Sequence, residues 1–194
     1  MILILGGTKS GKSSFASRRA AGRENLGPVA YLATALAGDG EMKDRIARHQ
    51  ADRPSSWITV EEPVDPAGYF TGLTTETRST TTPAGPVTVL LDCITLWLTN
   101  LLTPMGDEPN RVEALELGGK EVRRLADEIL AWESGNPSLN REAIIVSNLV
   151  ETGLISPWPL GRIFQDLAGL THQMLAAEAN EVFLLTAGLP QKLK

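Results

Sequence analysis

Residues Gly6 to Ser13 read GGTKSGKS and satisfy G-x-x-x-x-G-K-[ST] directly behind the apolar run MILIL. A strand before and a helical pattern after are the setting in which that spacing makes a phosphate loop. In such a loop Gly6, Gly7, Thr8, Lys9, Ser10 and Gly11 turn backbone N–H groups inward around phosphates, and the following helix directs its positive end at them. Lys12 supplies a point charge at the β and γ phosphates, and the Ser13 hydroxyl suits Mg²⁺. A second magnesium anchor is expected at the end of a neighbouring apolar strand, and Asp92, closing VTVLLD, has that position. The competing role for Asp92 is to cap the helical segment that starts near Ile94. Together these residues imply a nucleoside triphosphate with Mg²⁺. They do not separate kinases, switches and motors.

A second constellation lies in residues 39–63, DGEMKDRIARHQADRPSSWITVEEP, which hold one of the two histidines of the chain. If 41–52 is helical, Arg45, His49 and Arg53 recur at i, i+4 and i+8 along one face. Two guanidiniums beside an imidazole make an anion-seeking stripe. A neutral imidazole there can attack an α phosphate, expel pyrophosphate and form a phosphoramidate, with the arginines neutralising phosphoryl oxygens. Spacing alone leaves a plainer alternative open, a solvated charged helix with an incidental histidine.

These groups need a scaffold. Short apolar, β-branched runs at 2–5, 29–33, 57–60, 87–91, 143–146 and 182–185 predict strands. Helical patterns at 12–22, 41–52, 112–132 and 160–179 separate most of them, with a shorter helical segment after Pro63. Such alternation predicts an α/β fold, a mainly parallel sheet covered on both faces. Residues 71–86, TGLTTETRSTTTPAGP, hold little that can be buried and are expected as a solvated loop. With 194 residues and 42% hydrophobic content, one catalytic domain spanning 1–194 is expected.

Composition also excludes partners. A net charge of −5 carries no basic footprint for nucleic acid or an anionic membrane. No apolar stretch reaches transmembrane length, and the single cysteine, Cys93, cannot form an internal disulfide. The expected setting is the cytoplasm and the expected partner a small molecule. Trp57, Trp97, Trp132 and Trp158 are expected in the core or at subunit contacts, and His172, on an apolar helix, as a buried or interface residue without chemistry.

The ordered set GGTKSGKS, YLATA, RIARHQADRPSSW followed by ITVEEP, LLDCITLWLTNLL, VSN and GLPQKLK resembles adenosylcobinamide kinase/adenosylcobinamide-phosphate guanylyltransferase over nearly the whole chain. The resemblance implies a RecA-like P-loop sheet in a homotrimer. It implies that His49 takes GMP from GTP, with Lys12 as the other catalytic residue. It places further nucleotide contacts at Ala33, Thr34 and Ala35, at Gln50, Ala51, Asp52 and Arg53, and at Glu61 and Asp92. The chemistry implied is γ-phosphoryl transfer from GTP or ATP to the hydroxyl of adenosylcobinamide. GMP transfer through His49 to adenosylcobinamide phosphate then gives adenosylcobinamide-GDP.

The pattern also departs from the family. Its N-E-V-G-x-G run reads NLVETG here, so Leu149 replaces the acid and Glu151 the first glycine. Its R-D-x-x-G-x-x-N-Q run reads QDLAGLTHQ, with Gln165 and His172 as substitutes, and D-E-V reads NEV at Asn180. The His49 block is intact, so guanylyl transfer is expected to survive these changes better than kinase activity. A P-loop kinase without nucleotidyl transfer is the alternative; a GTPase switch lacks its N-K-x-D guanine signature here.

Overall fold

A computed structural model describes residues 1–36, 38, 40, 50, 53–77 and 85–194. Among the described residues seven strands form one sheet in the order β3-β2-β4-β5-β1-β6-β7. They are β1 (Ile2–Gly6), β2 (Val29–Ala33), β3 (Ile58–Glu61), β4 (Thr88–Asp92), β5 (Glu142–Asn148), β6 (Glu181–Thr186) and β7 (Leu189–Lys192). All pairings are parallel except β6 with β7. The expected α/β fold, a mainly parallel sheet with a phosphate loop after its first strand, is thus observed, with an antiparallel edge hairpin added.

The central strands read as unbroken apolar runs because both faces are covered. Side chains alternate between two cores. Ile2, Ile4, Tyr31, Leu90, Ile144 and Val146 pack with helix α1 (Lys12–Ala21). Leu3, Leu5, Leu32, Leu91 and Ile145 face the other core. That core is built by α2 (Pro66–Thr77), α3 (Ile94–Leu102), α4 (Arg111–Ser134) and α5 (Pro159–Glu178). Trp97 and Trp132 are buried in this larger layer, with the Trp132 ring edge-on to Phe70 at 5.5 Å.

One expectation is corrected. The segment 71–86 does not begin as a loop, because α2 runs to Thr77. Phe70 and Leu73 anchor the helix in the core, and the hydroxyls of Thr71 and Thr74 donate back to the carbonyls of Ala67 and Phe70. Such back-bonding satisfies threonine within a helix despite its low propensity. Residues 78–84 lie outside the described residues. Asp65 caps the start of α2, its Oδ1 accepting from the Gly68 N–H at 2.9 Å.

Candidate active site

The loop between β1 and α1 closes tightly. Gly11 stands at φ 92° and Lys9 at φ 56°, so successive N–H groups can turn to one side. Lys12 is buried and its Nζ donates to the Gly7 carbonyl at 3.1 Å, which draws the ammonium across the mouth of the loop. The Ser10 hydroxyl is buried with no hydrogen-bond partner among the described residues. A buried orphan of this kind calls for a bound water, an ion or a ligand atom as its partner. Gly6 admits no side chain, since a Cβ there would stand 2.4 Å from Ser10 Oγ and 2.8 Å from the Leu185 carbonyl oxygen.

The β6–β7 turn supports this loop from outside. Its central residues, Ala187 and Gly188, have φ 52° and 82°, as a two-residue hairpin requires. The Gly188 N–H donates to the Ser10 carbonyl at 2.9 Å, and a Cβ on Gly11 would lie 3.1 Å from Gly188 Cα. The turn therefore fits against backbone and leaves the loop little room to open outward.

Asp92 ends β4, in register with Ala33 on one side and Val146 on the other. It is not the cap of α3: the capping position is Cys93, without a side-chain cap bond. Instead Asp92 Oδ2 accepts from the Tyr31 hydroxyl at 2.8 Å. Burial first, then the Asp92 carboxylate, push the Tyr31 phenol far up, so it remains a proton donor at any physiological pH. The Arg53 guanidinium lies over the Tyr31 ring, 3.5 Å from its centroid, with its Nε unpartnered among the described residues. Beside it, Gln50 Nε2 donates to Glu61 Oε1 at 3.1 Å.

Thr34 fastens the ends of β2 and β4 together. Its hydroxyl donates to the Cys93 carbonyl at 2.7 Å and accepts from the Cys93 N–H at 2.9 Å. Asn100 on α3 donates to the carbonyls of Thr34 and Pro63, at 2.8 and 3.0 Å. On β5, Asn148 pairs with Gly6 and donates to Thr95 Oγ1 at 2.7 Å. Gly6 to Ser13, Ala33 to Ala35 and Asp92 thus meet at the C-terminal edge of the sheet, where open α/β sheets bind ligands. Gln50, Arg53 and Glu61 stand along the β2–β3 end of that edge. His49, Ala51, Asp52 and Arg45 lie outside the described residues, as does most of the helix expected at 41–52.

Sequence reasoning passed over Tyr31, Asn148 and Asn100. Tyr31 sits in an apolar strand and reads as core, while Asn148 carried a usable signal as a polar residue ending a buried strand. The donor chemistry suits a hard cation. Ser13 Oγ and the Asp92 carboxylate are the oxygen types that Mg²⁺ takes. No cluster of three or more His, Cys, Asp or Glu that could hold a metal occurs among the described residues.

A family model described as cobinamide kinase / cobinamide phosphate guanyltransferase matches residues 2–193. The chain belongs to this family. It is 41% identical over 192 residues to the bifunctional adenosylcobalamin biosynthesis protein CobP of Pseudomonas aeruginosa, covering 99% of this chain and 96% of that protein. It is 35% identical over 194 residues to the bifunctional adenosylcobalamin biosynthesis protein CobU of Salmonella typhimurium, covering 100% and 99%. Among solved structures, the ATPase domain of G40P aligns with a TM-score of 0.46 and 14% identity over 94% of this chain and 68% of that one.

The departures from the family's sequence pattern meet in space except for Asn180, which accepts from the Met1 ammonium at 2.8 Å at the far end of β1. Glu151 Oε1 is 2.7 Å from His172 Nδ1, and His172 Nε2 is 2.7 Å from Ser147 Oγ. Glu151 Oε2 also accepts from the Val150 N–H at 2.9 Å. Its carboxylate is thereby turned toward α5 and does not replace the acid absent at Leu149. Gln165 holds the same loop, donating to the Val150 and Leu154 carbonyls and accepting from the Ser156 N–H. The loop's first residue reaches the phosphate loop, Leu149 N–H to the Gly6 carbonyl at 3.1 Å. His172 is buried, as expected, and its ring is fully engaged. Trp158 departs from a core position, being 74% exposed at the start of α5.

Proposed function

We propose that the chain phosphorylates adenosylcobinamide with GTP or ATP and then transfers GMP to the product through His49. The observation that carries this reading is a closed phosphate loop and Asp92 at the same edge of the sheet in a chain matched by its family model from residue 2 to 193. In the first step the aminopropanol hydroxyl oxygen attacks the γ phosphorus, the bond to the β–γ bridging oxygen breaks, and the hydroxyl proton passes to solvent. Lys12 and the loop N–H groups bind the charge that builds on the phosphate oxygens. Ser13 and Asp92 would hold Mg²⁺, which when bound neutralises β and γ phosphate charge.

In the second step a His49 ring nitrogen attacks the α phosphorus of GTP and the bond to the α–β bridging oxygen breaks, releasing pyrophosphate. A phosphate oxygen of adenosylcobinamide phosphate then attacks the same phosphorus, the P–N bond breaks and the imidazole is restored. Ala33, Thr34, Ala35, Gln50, Ala51, Asp52, Arg53 and Glu61 bind the nucleotide in this reading, and the unpartnered Arg53 Nε supports a phosphate contact there. A homotrimer in the cytoplasm belongs to the same proposal.

Intact mass after incubation with Mg²⁺ and GTP, without corrinoid, tests the transfer half. A GMP-sized, acid-labile adduct on the wild type and none on His49→Ala is expected. No adduct on folded protein that binds GTP sinks the transfer half and leaves a kinase. Because Glu151 is turned away and does not replace the carboxylate absent at Leu149, we also propose that guanylyl transfer outpaces phosphorylation. Kinase turnover faster than transfer on the same preparation refutes that ranking.

A further inference from the structure

A cavity of about 650 Å³ opens between α3 and the start of α5, lined by Thr99 and Leu102 on α3, Asp107 and Glu108 after it, and Trp158 and Phe164 beyond. Its size lies within the range of small-molecule sites. It is outside the phosphate loop, yet α3 starts two residues after Asp92. Thr99 stands about 10 Å along the helix from the end of β4. The opposite wall begins where the Leu149–Ser156 loop, itself bonded to Gly6, runs into α5. Both walls are thus rooted at the nucleotide edge of the sheet.

We infer that this cavity seats the corrin macrocycle of the cobinamide substrate, an assignment that rests on the function proposed above. The chemistry matches on three counts. Trp158, 74% exposed, and the partly exposed Phe164 behind it offer flat and apolar surface to a macrocycle face. An alkylcobalt(III) corrin is a cation, and Asp107 and Glu108 are carboxylates at the rim. The corrin's fringe of primary amides finds acceptors in those carboxylates and in the Thr99 hydroxyl. A propionamide arm lengthened by aminopropanol reaches about as far as two extended residues, roughly 7 Å. Such an arm covers most of the roughly 10 Å from Thr99 to the end of β4 and directs its terminal hydroxyl to the nucleotide edge of the sheet.

The test is steady-state kinase kinetics with adenosylcobinamide on wild type, Trp158→Ala and the double variant Asp107→Asn/Glu108→Gln, with thermal melts and molar mass by light scattering. Trp158→Ala should raise the KM for adenosylcobinamide about tenfold, and the double variant by about threefold or more, the sizes of a lost anchor and of rim charges. The KM for GTP and the yield of GMP adduct should stay at wild-type values. Unchanged corrinoid KM in both variants overturns the assignment. So does a fall in molar mass of Trp158→Ala with corrinoid KM intact, which would make the patch a contact between copies. A wild type that forms the GMP adduct but neither binds nor phosphorylates adenosylcobinamide overturns the corrinoid half of the proposed function, and this inference with it.

Discussion

Replacing His172 by alanine should cost about 3 kcal/mol of folding stability without abolishing nucleotide binding. The Ser147 hydroxyl is fully buried and its bond to the imidazole would go, an unsatisfied-group penalty of about 1–3 kcal/mol. Removing a ring that is itself buried adds roughly 1–2 kcal/mol of lost packing. Glu151, a quarter exposed, can rehydrate and contributes less. In a chain of this size each kcal/mol lowers Tm by about 2–4 °C, so a fall of roughly 6–12 °C is expected. Urea unfolding of wild type, Glu151→Gln, His172→Ala and the double variant gives the coupling. Residues sharing one hydrogen-bond chain should couple by about 0.5–3 kcal/mol. A loss under about 0.5 kcal/mol for His172→Ala, or strict additivity with Glu151→Gln, would refute the reasoning and leave the contact ornamental.

Asp92→Asn should keep the fold and lose most turnover and the dependence on Mg²⁺, because an amide can still accept from Tyr31 while offering a poorer cation ligand; undiminished activity with unchanged metal dependence tells against the role. The buried Cys93 thiol is pushed up to about 11, by burial first and the Asp92 carboxylate second, so maleimide at pH 8 should leave the native chain unlabelled and add one label after unfolding. Burial pushes the Asp65 carboxyl up, but hydrogen bonds from Arg124 and the Gly68 N–H outweigh this and hold it below its ordinary value. Its stabilising contribution is then complete above about pH 4 and lost as pH falls through the lowered folded value. The Tm gap between wild type and Asp65→Asn should therefore shrink on acidification, and a gap that widens below pH 4 would reverse the sign.

The parallel core was legible because two-sided burial makes Ile2 to Leu5 or Leu90 and Leu91 apolar at every position, a pattern that water-facing strands do not produce. The phosphate loop was legible because its backbone conformation needs Gly11 and its charge needs Lys12. What escaped has physical reasons. The threonines of α2 satisfy their hydroxyls on helix carbonyls, so a polar composition hid a helix held by Phe70 and Leu73. β7 is exposed along its length and contains Pro190, and only its pairing with β6 makes it a strand. Tyr31 reads as core because its ring is core, and only its hydroxyl belongs to the site. The partnership of Glu151 with His172 spans 21 positions and is not expressed in any local period.

The Gly188 turn against the phosphate loop has a consequence for synthesis. β1 is made before the other six strands described, yet its two neighbours are β5 and β6, and the turn that braces its loop follows β6. All residues through Gly188 must be made before the nucleotide cradle has walls. A released chain truncated before Ala187 should hold β1 in place but leave Ser10 and Gly11 unbraced, and it should not retain GTP on a filter. The cradle's outer brace therefore closes only once the hairpin exists, which separates the pairing of β1 from the bracing of its loop.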